Sequence, residues 1–174
     1  MKPTPWKYIN SWNCIACGLC CKAYDVVLKY PEWLKIIQTY GIGTTRPGRN
    51  QFYLGKKANG SCIFLYRFFD RWLCALQQMK PMACKLWPFK VYSHPKYGRS
   101  NQASYEYMGR EFFIYVDSGC LGLRFGRNPS NQLISETIPE VIEIALGLRE
   151  KQFYSTSRMP LYVKEWSFRA RKVI

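Results

Sequence analysis

Acidic residues and histidine are scarce in this 174-residue chain: 11 Asp and Glu stand against 26 Lys and Arg, and there is one His. That histidine, His94 in YSHPKYG, lies beside a proline in a loop and reads as a surface residue. With no histidine pair and no carboxylate cluster, any metal site must be built almost wholly from sulfur. This excludes magnesium, calcium and manganese and selects zinc, copper(I) or iron–sulfur centres. Long apolar runs are missing as well. The densest, FFIYV at 112–116, is strand-sized and far short of the roughly eighteen residues that a membrane-spanning helix needs. The opening MKPTPWKYINSW holds no apolar core and no small-residue cleavage site, so it does not read as a secretory signal, and a cytoplasmic location is expected. Phosphate-loop, dinucleotide, zinc-protease and serine-hydrolase signatures are all absent, which argues against NTPase and hydrolase chemistry. The acids nearest the cysteines, Asp25, Glu111 and Asp117, read as turn or ion-pair residues. No residue is singled out as catalytic, and whether the chain is an enzyme stays open.

Cysteine is what the chain has in quantity. The stretch NCIACGLCCKAYD, 13–25, holds Cys14, Cys17, Cys20 and Cys21, and Cys62, Cys74, Cys84 and Cys120 follow. A reducing compartment keeps thiols free, and clustered free cysteines serve as metal ligands or redox groups. Four cysteines in one octapeptide also resist pairing, since bridged Cα atoms must sit about 4.4–6.8 Å apart with suitable Cβ directions. Cys14, Cys17 and Cys20 follow the C-x2-C-x2-C rhythm with which ferredoxin-type chains hold three corners of a 4Fe-4S cluster, but Tyr24 and Asp25 stand where the fourth cysteine and its proline would be. Cys21 comes at once instead. Adjacent side chains of an extended segment point opposite ways, so the pair Cys20 and Cys21 suggests two sites sharing one ligand segment. The four distal cysteines would complete them.

The remaining sequence reads as one α+β domain, 1–174, with short strands and a few helices organised around cysteine-ligated metal centres. A helix is expected from near Pro31 to a stop at Gly41, with Trp33, Leu34, Ile37 and Tyr40 on one face. Residues 41–60 read as a glycine-rich basic loop around a short strand, QFYL. SCIFLY and RWLCAL read as strands flanking a turn near Asp70, QMKPMACKLWPF as one helical turn carrying Cys84, and SYEYMGREFFIYVD as a strand ending in the turn DSGC. From Ser135 a helix is expected, with Thr137 and Glu140 as a capping box and Ile138, Val141, Ile142, Ala145 and Leu148 as its apolar stripe.

Four separated pieces, CIACGLCC, GSCIFL at 60–65, CALQQMKPMACKLWPF at 74–89 and DSGCLGL at 117–123, together resemble the YkgJ-like CxxCxxCC cysteine-cluster family of zinc- or iron-chelating domains. The likeness covers roughly residues 12–123 and places all eight cysteines, which it implies are metal ligands. Residues 124–174, a C-terminal helix and basic tail, lie outside it. Lys80 stands where the family has arginine, Gln77 where an aromatic residue or histidine is common, and Leu121 where proline follows the last cysteine. None of these departures removes a thiol.

Two classes of function are open. In one, iron–sulfur clusters, 4Fe-4S first among them, serve electron transfer or a larger complex, with Lys22, Lys80 and Lys85 offsetting cluster charge. In the other, zinc staples a basic protein that binds RNA, DNA or a ribonucleoprotein assembly. The formal charge of +15 stays strongly positive after thiolate ligands are counted, which points to an anionic partner: nucleic acid, a large complex, or the acidic face of a redox protein. Arg46, Arg49, Lys56 and Lys57 in the glycine-rich loop, with Arg169, Arg171 and Lys172 in the tail, are the residues expected to meet it.

Overall fold

Glycine and proline interrupt the chain often enough that its elements are short. The structure, a computed structural model, describes residues 3–154, and the tail cations Arg169, Arg171 and Lys172 fall outside the described residues. In chain order the elements are β1 (Thr4–Pro5), β2 (Ile9–Trp12), α1 (Leu19–Ala23), β3 (Val27–Leu28), α2 (Tyr30–Tyr40), β4 (Thr45–Pro47), β5 (Phe52–Leu54) and β6 (Leu65–Phe68). They continue with β7 (Arg71–Cys74), α3 (Met82–Leu86), β8 (Phe89–Tyr92), α4 (Ser100–Ala103), β9 (Ser104–Tyr107), β10 (Arg110–Val116), β11 (Leu123–Phe125) and α5 (Ile138–Leu146). Helices and small antiparallel sheets mix without parallel pairing among these strands, so the class is α+β.

The apolar run FFIYV lies in β10, the spine of the larger half. β1, β8 and β9 all pair antiparallel with it. Its side chains alternate as a strand buried on both faces requires. Phe112, Ile114 and Val116 enter a core with Trp6, Ile9, Trp12, Phe89, Leu123 and the α5 residues Ile138, Val141 and Ile142. Phe113 and Tyr115 face the other way, onto Ala103, Tyr92 and Tyr97. SYEYMGREFFIYVD is therefore two strands and not one: Met108 and Gly109 both take positive φ, 51° and 70°, and fold β9 back onto β10 as a hairpin.

A second core gathers Leu28, Ile36, Leu54, Cys62, Phe64, Leu65 and Leu76. Helix α2 runs over the expected residues and ends at Gly41, φ 88°, but Ile36 is its one buried residue, while Trp33, Leu34 and Ile37 are half-buried. The hairpin β6–β7 turns at Phe69 and Asp70, and its register sets Leu65 opposite Cys74. The segment before α5 departs from the expected capping box. A π-helical turn, Leu133–Thr137, runs straight into α5, so Thr137 has helical backbone and caps nothing. Glu140 is buried, and its carboxylate accepts the backbone N–H groups of Phe153 and Tyr154, tying the chain after α5 back onto the helix.

Candidate metal centre

The two cores leave a cavity of about 310 Å³ between them, and seven of the eight cysteines line it: Cys14, Cys17, Cys20, Cys21, Cys74, Cys84 and Cys120. Several local devices bring them there. Cys14 follows β2, and the segment is pinned where Asn13 N–H donates to the Gly122 carbonyl at 3.0 Å, which brings Cys120 alongside. Gly18 takes φ 70°, with the Trp72 side chain packed where a Cβ would be, and starts α1, which carries Cys20 and Cys21. Cys74 closes β7, and Cys84 sits in the single turn of α3. Cys62, buried in the second core, is joined to α1 by its own N–H, which donates to the Cys21 carbonyl at 2.7 Å.

Cys20 and Cys21 lie on a helix and not on extended chain, so the expected opposition of their side chains gives way to a helical offset, and the two sulfurs are 3.9 Å apart. Their surroundings still differ. Cys14 and Cys120 pack on the first core, whereas Cys21, Cys74 and Cys84 pack with Cys62 on the second. Electrostatic neighbourhoods divide the same way: Cys120 feels charge on Cys14 and Cys17, and Cys21 feels charge on Cys74 and Cys84. Cys20 adjoins both groups, acting on Cys14 in one and on Cys62, Cys74 and Cys84 in the other.

Burial pushes the thiols of Cys14, Cys62, Cys84 and Cys120 up from their ordinary range, and that of Cys74 up to about 11. The adjacent pair splits: the hydrogen bond from Cys21 lowers Cys20 to about 7 and correspondingly raises Cys21. Lys80, in the cavity wall, pulls Cys14, Cys20, Cys74 and Cys84 towards the thiolate. An apolar pocket that disfavours thiolates, filled with thiols and a lysine, suits a cation that replaces the protons.

Among the described residues, no three His, Cys, Asp or Glu side chains converge tightly enough to grip a single ion as they stand; the sulfurs surround a space. The indole N–H of Trp12, also on the wall, is buried and makes no hydrogen bond of ordinary geometry among the described residues, and as a donor it favours the charged form of Cys120. A Cys120 thiolate is the acceptor that would satisfy it. The donor set is soft and the orphan donor faces it, so the residues fit zinc or iron.

Acids and cations near the site have ordinary partners. Asp117, buried on the cavity wall, accepts the Gly119 N–H at 3.0 Å and the Tyr24 hydroxyl at 3.3 Å, with Lys90 Nζ 4.0 Å away. Asp25 pairs with Arg46 at 2.7 Å and Lys56 at 3.5 Å, and the Arg46 guanidinium holds its carboxyl below the usual range. Glu111 accepts the Ser104 hydroxyl, and His94 is exposed. Of the loop cations, Arg46 is taken by Asp25, Lys56 also donates to the Tyr24 carbonyl, and Lys57 donates to the Leu65 carbonyl; Arg49 is exposed. The aromatic wall of Trp12, Tyr24, Trp72 and Trp87 was not legible as such, because aromatic residues recur throughout the chain and nothing in their spacing marks these four.

Comparison with known proteins agrees on one point. A family model described as "CxxCxxCC: Putative zinc- or iron-chelating domain" matches residues 13–120. No curated protein and no solved structure matches the chain. No helix among the described residues is long and apolar enough to cross a membrane. The matched span exceeds half of the 174 residues and contains every cysteine, from Cys14 to Cys120, so the chain belongs to the CxxCxxCC family of cysteine-cluster domains.

Proposed function

We propose that the eight cysteines form two four-sulfur centres holding iron–sulfur clusters, and that the protein carries electrons, by itself or as part of a larger complex. The observation that carries this reading is the sulfur-lined cavity: seven cysteines surround about 310 Å³ between two cores, room suited to a multi-atom cluster more than to one ion. Division by core and by electrostatic neighbourhood supports Cys14, Cys17 and Cys120 as one set and Cys21, Cys62, Cys74 and Cys84 as the other, and Cys20, which adjoins both, is the sulfur left to complete the first. Bound clusters would supply reversible one-electron chemistry. The chain's own part is to exclude water with aromatic walls, offset negative charge with Lys80 and donate the Trp12 N–H to sulfur. Iron and acid-labile sulfide analysis with a visible spectrum, on protein purified without oxygen, tests the reading. Brown protein with comparable iron and sulfide is expected. Colourless protein with stoichiometric zinc would replace it with the zinc-stapled alternative, and thiols paired as disulfides without metal would overturn both.

An anionic partner belongs to the same proposal. Its support is the formal net charge of +15, the excess of cations left when every Asp and Glu is matched by one Lys or Arg. Within the glycine-rich loop, internal bonds to Arg46, Lys56 and Lys57 leave Arg49 as the better candidate.

A further inference from the structure

We propose a binding site for single-stranded nucleic acid on the face formed by residues 7–8, 99–101 and 124–127, on structure that the cysteine cavity does not use. Strand β11 lies antiparallel on β2, with Arg124 opposite Ser11, and the register slips between Arg124 and Phe125. The slip matters because Leu123 and Phe125 would otherwise both point inward. Leu123 is buried, whereas Phe125 stands 56% exposed beside an exposed Arg124. Gly126 N–H then donates to the Tyr8 carbonyl at 2.9 Å, which holds the segment carrying the exposed Arg127 beside Tyr8. From a third segment, Arg99 holds a left-handed backbone, φ 52°, and lays its guanidinium over the Tyr8 ring at 5.6 Å. Lys7 joins the segments by donating to the Asn101 carbonyl at 2.7 Å.

Among the described residues, no acid pairs with the cations of this face: Lys7, Arg99, Arg124 and Arg127 are all exposed, and none forms an ion pair. The sequence stretches that build it, 1–24, 90–105 and 118–135, contain no Asp or Glu at all. Cations without counterions attract polyanions, and arginine's planar fork matches phosphate oxygens two at a time. Phe125, an exposed ring flanked by Arg124 and Arg127, is the stacking platform that a base requires. Only an unpaired base presents its face to such a ring, which selects single strands over duplex.

Fluorescence anisotropy of labelled oligo-dT and oligo-U against the full-length chain, purified with its native metal, tests the site across a salt series. Binding should weaken with salt, and Arg99→Gln and Arg127→Gln should each lower the log–log slope by about 0.7, the contribution of one phosphate on a single strand. Phe125→Leu should weaken binding roughly tenfold at every salt concentration and leave the slope unchanged. Lys35→Gln, at an exposed position on α2, should change neither quantity, and all four variants should keep the parent's metal content, which separates this site from the reading of the cysteines. No binding at low salt, slopes unmoved by the arginine variants, affinity unmoved by Phe125→Leu, or displacement of the oligonucleotides by polyglutamate as readily as by unlabelled oligo-dT would each overturn the proposal, the last in favour of an acidic protein.

Discussion

Gly122 shows how narrowly the first cysteine group is held. A Cβ at this position would lie 2.1 Å from the Asn13 carbonyl oxygen and 3.6 Å from the Cys14 Cα, so the two segments bearing Cys14 and Cys120 touch backbone to backbone. Backbone cannot rotate aside as a side chain can. Gly122→Ala should therefore force the segments apart, cost roughly 1–3 kcal/mol by overpacking, and lower metal retention without removing a thiol. Chemical denaturation together with metal analysis reads both effects, and a variant with parental stability and metal content would show that this contact does not set the site. Trp12 makes the complementary case. Its ring packs edge-on against Phe89 at 5.2 Å, so Trp12→Phe keeps an aromatic ring in the core and removes only the orphan N–H. If that N–H serves a sulfur, the variant should lower the reduction potential of an iron–sulfur centre, because a hydrogen bond that eases negative charge on the cluster is lost. An unchanged potential would assign the indole to packing alone.

At the scale of elements, α5 and the chain after it act as one unit. Glu140 accepts the N–H groups of Phe153 and Tyr154, Arg149 reaches Glu143 at 2.6 Å and Glu140 at 3.8 Å, and Gln152 Nε2 donates to the Lys85 carbonyl at 2.6 Å, next to Cys84. Glu140→Ala leaves two part-buried amide donors without their acceptor and should cost roughly 1–3 kcal/mol, whereas Glu140→Gln, which keeps one carbonyl oxygen, should cost less. Equal stability of both variants in urea would show that this return is not held through Glu140. The sequence disclosed α5 through its apolar period but misread Glu140 as a cap, since a glutamate three residues after a threonine looks the same whether the helix starts there or began earlier. The same limit explains Cys20 and Cys21, where adjacency was legible and the helical turn that Gly18 initiates was not. The β9–β10 hairpin was hidden for a different reason: Met108 is not a turn residue by type, yet the pairing of β9 with β10 across a two-residue loop puts it, with Gly109, at positive φ. Cysteine order, the β6–β7 hairpin and the α2 stop at Gly41 were legible because thiols, turns and glycine caps are local signals. Which cysteine joins which core depends on contacts across the chain, so no spacing could reveal it.

For the whole molecule, the arrangement of two cores about one sulfur-lined cavity would make a bound metal a structural partner of both halves, but not equally. The first core has β10, paired by three other strands and covered on one face by α5, to hold it without sulfur. The second gathers residues of α2, the small β3–β5–β4 sheet and the β6–β7 hairpin around Cys62, and three more cysteines pack directly against it. Binding energy at cysteine sites is folding energy, and a structural centre contributes on the order of 10 kcal/mol in small zinc domains. Removal of metal by chelation under reducing conditions should therefore lower the melting temperature by more than about 10 °C for a chain of this size. The loss should also be uneven. Amide hydrogen exchange should rise first across residues 61–86, while residues 110–116, at the centre of the larger sheet, keep their protection until global unfolding. Uniform loss of protection would mean that the two cores form one cooperative unit, and unchanged exchange at 61–86 after verified metal removal would mean that the thiols stabilise the second core as apolar packing residues and not as ligands.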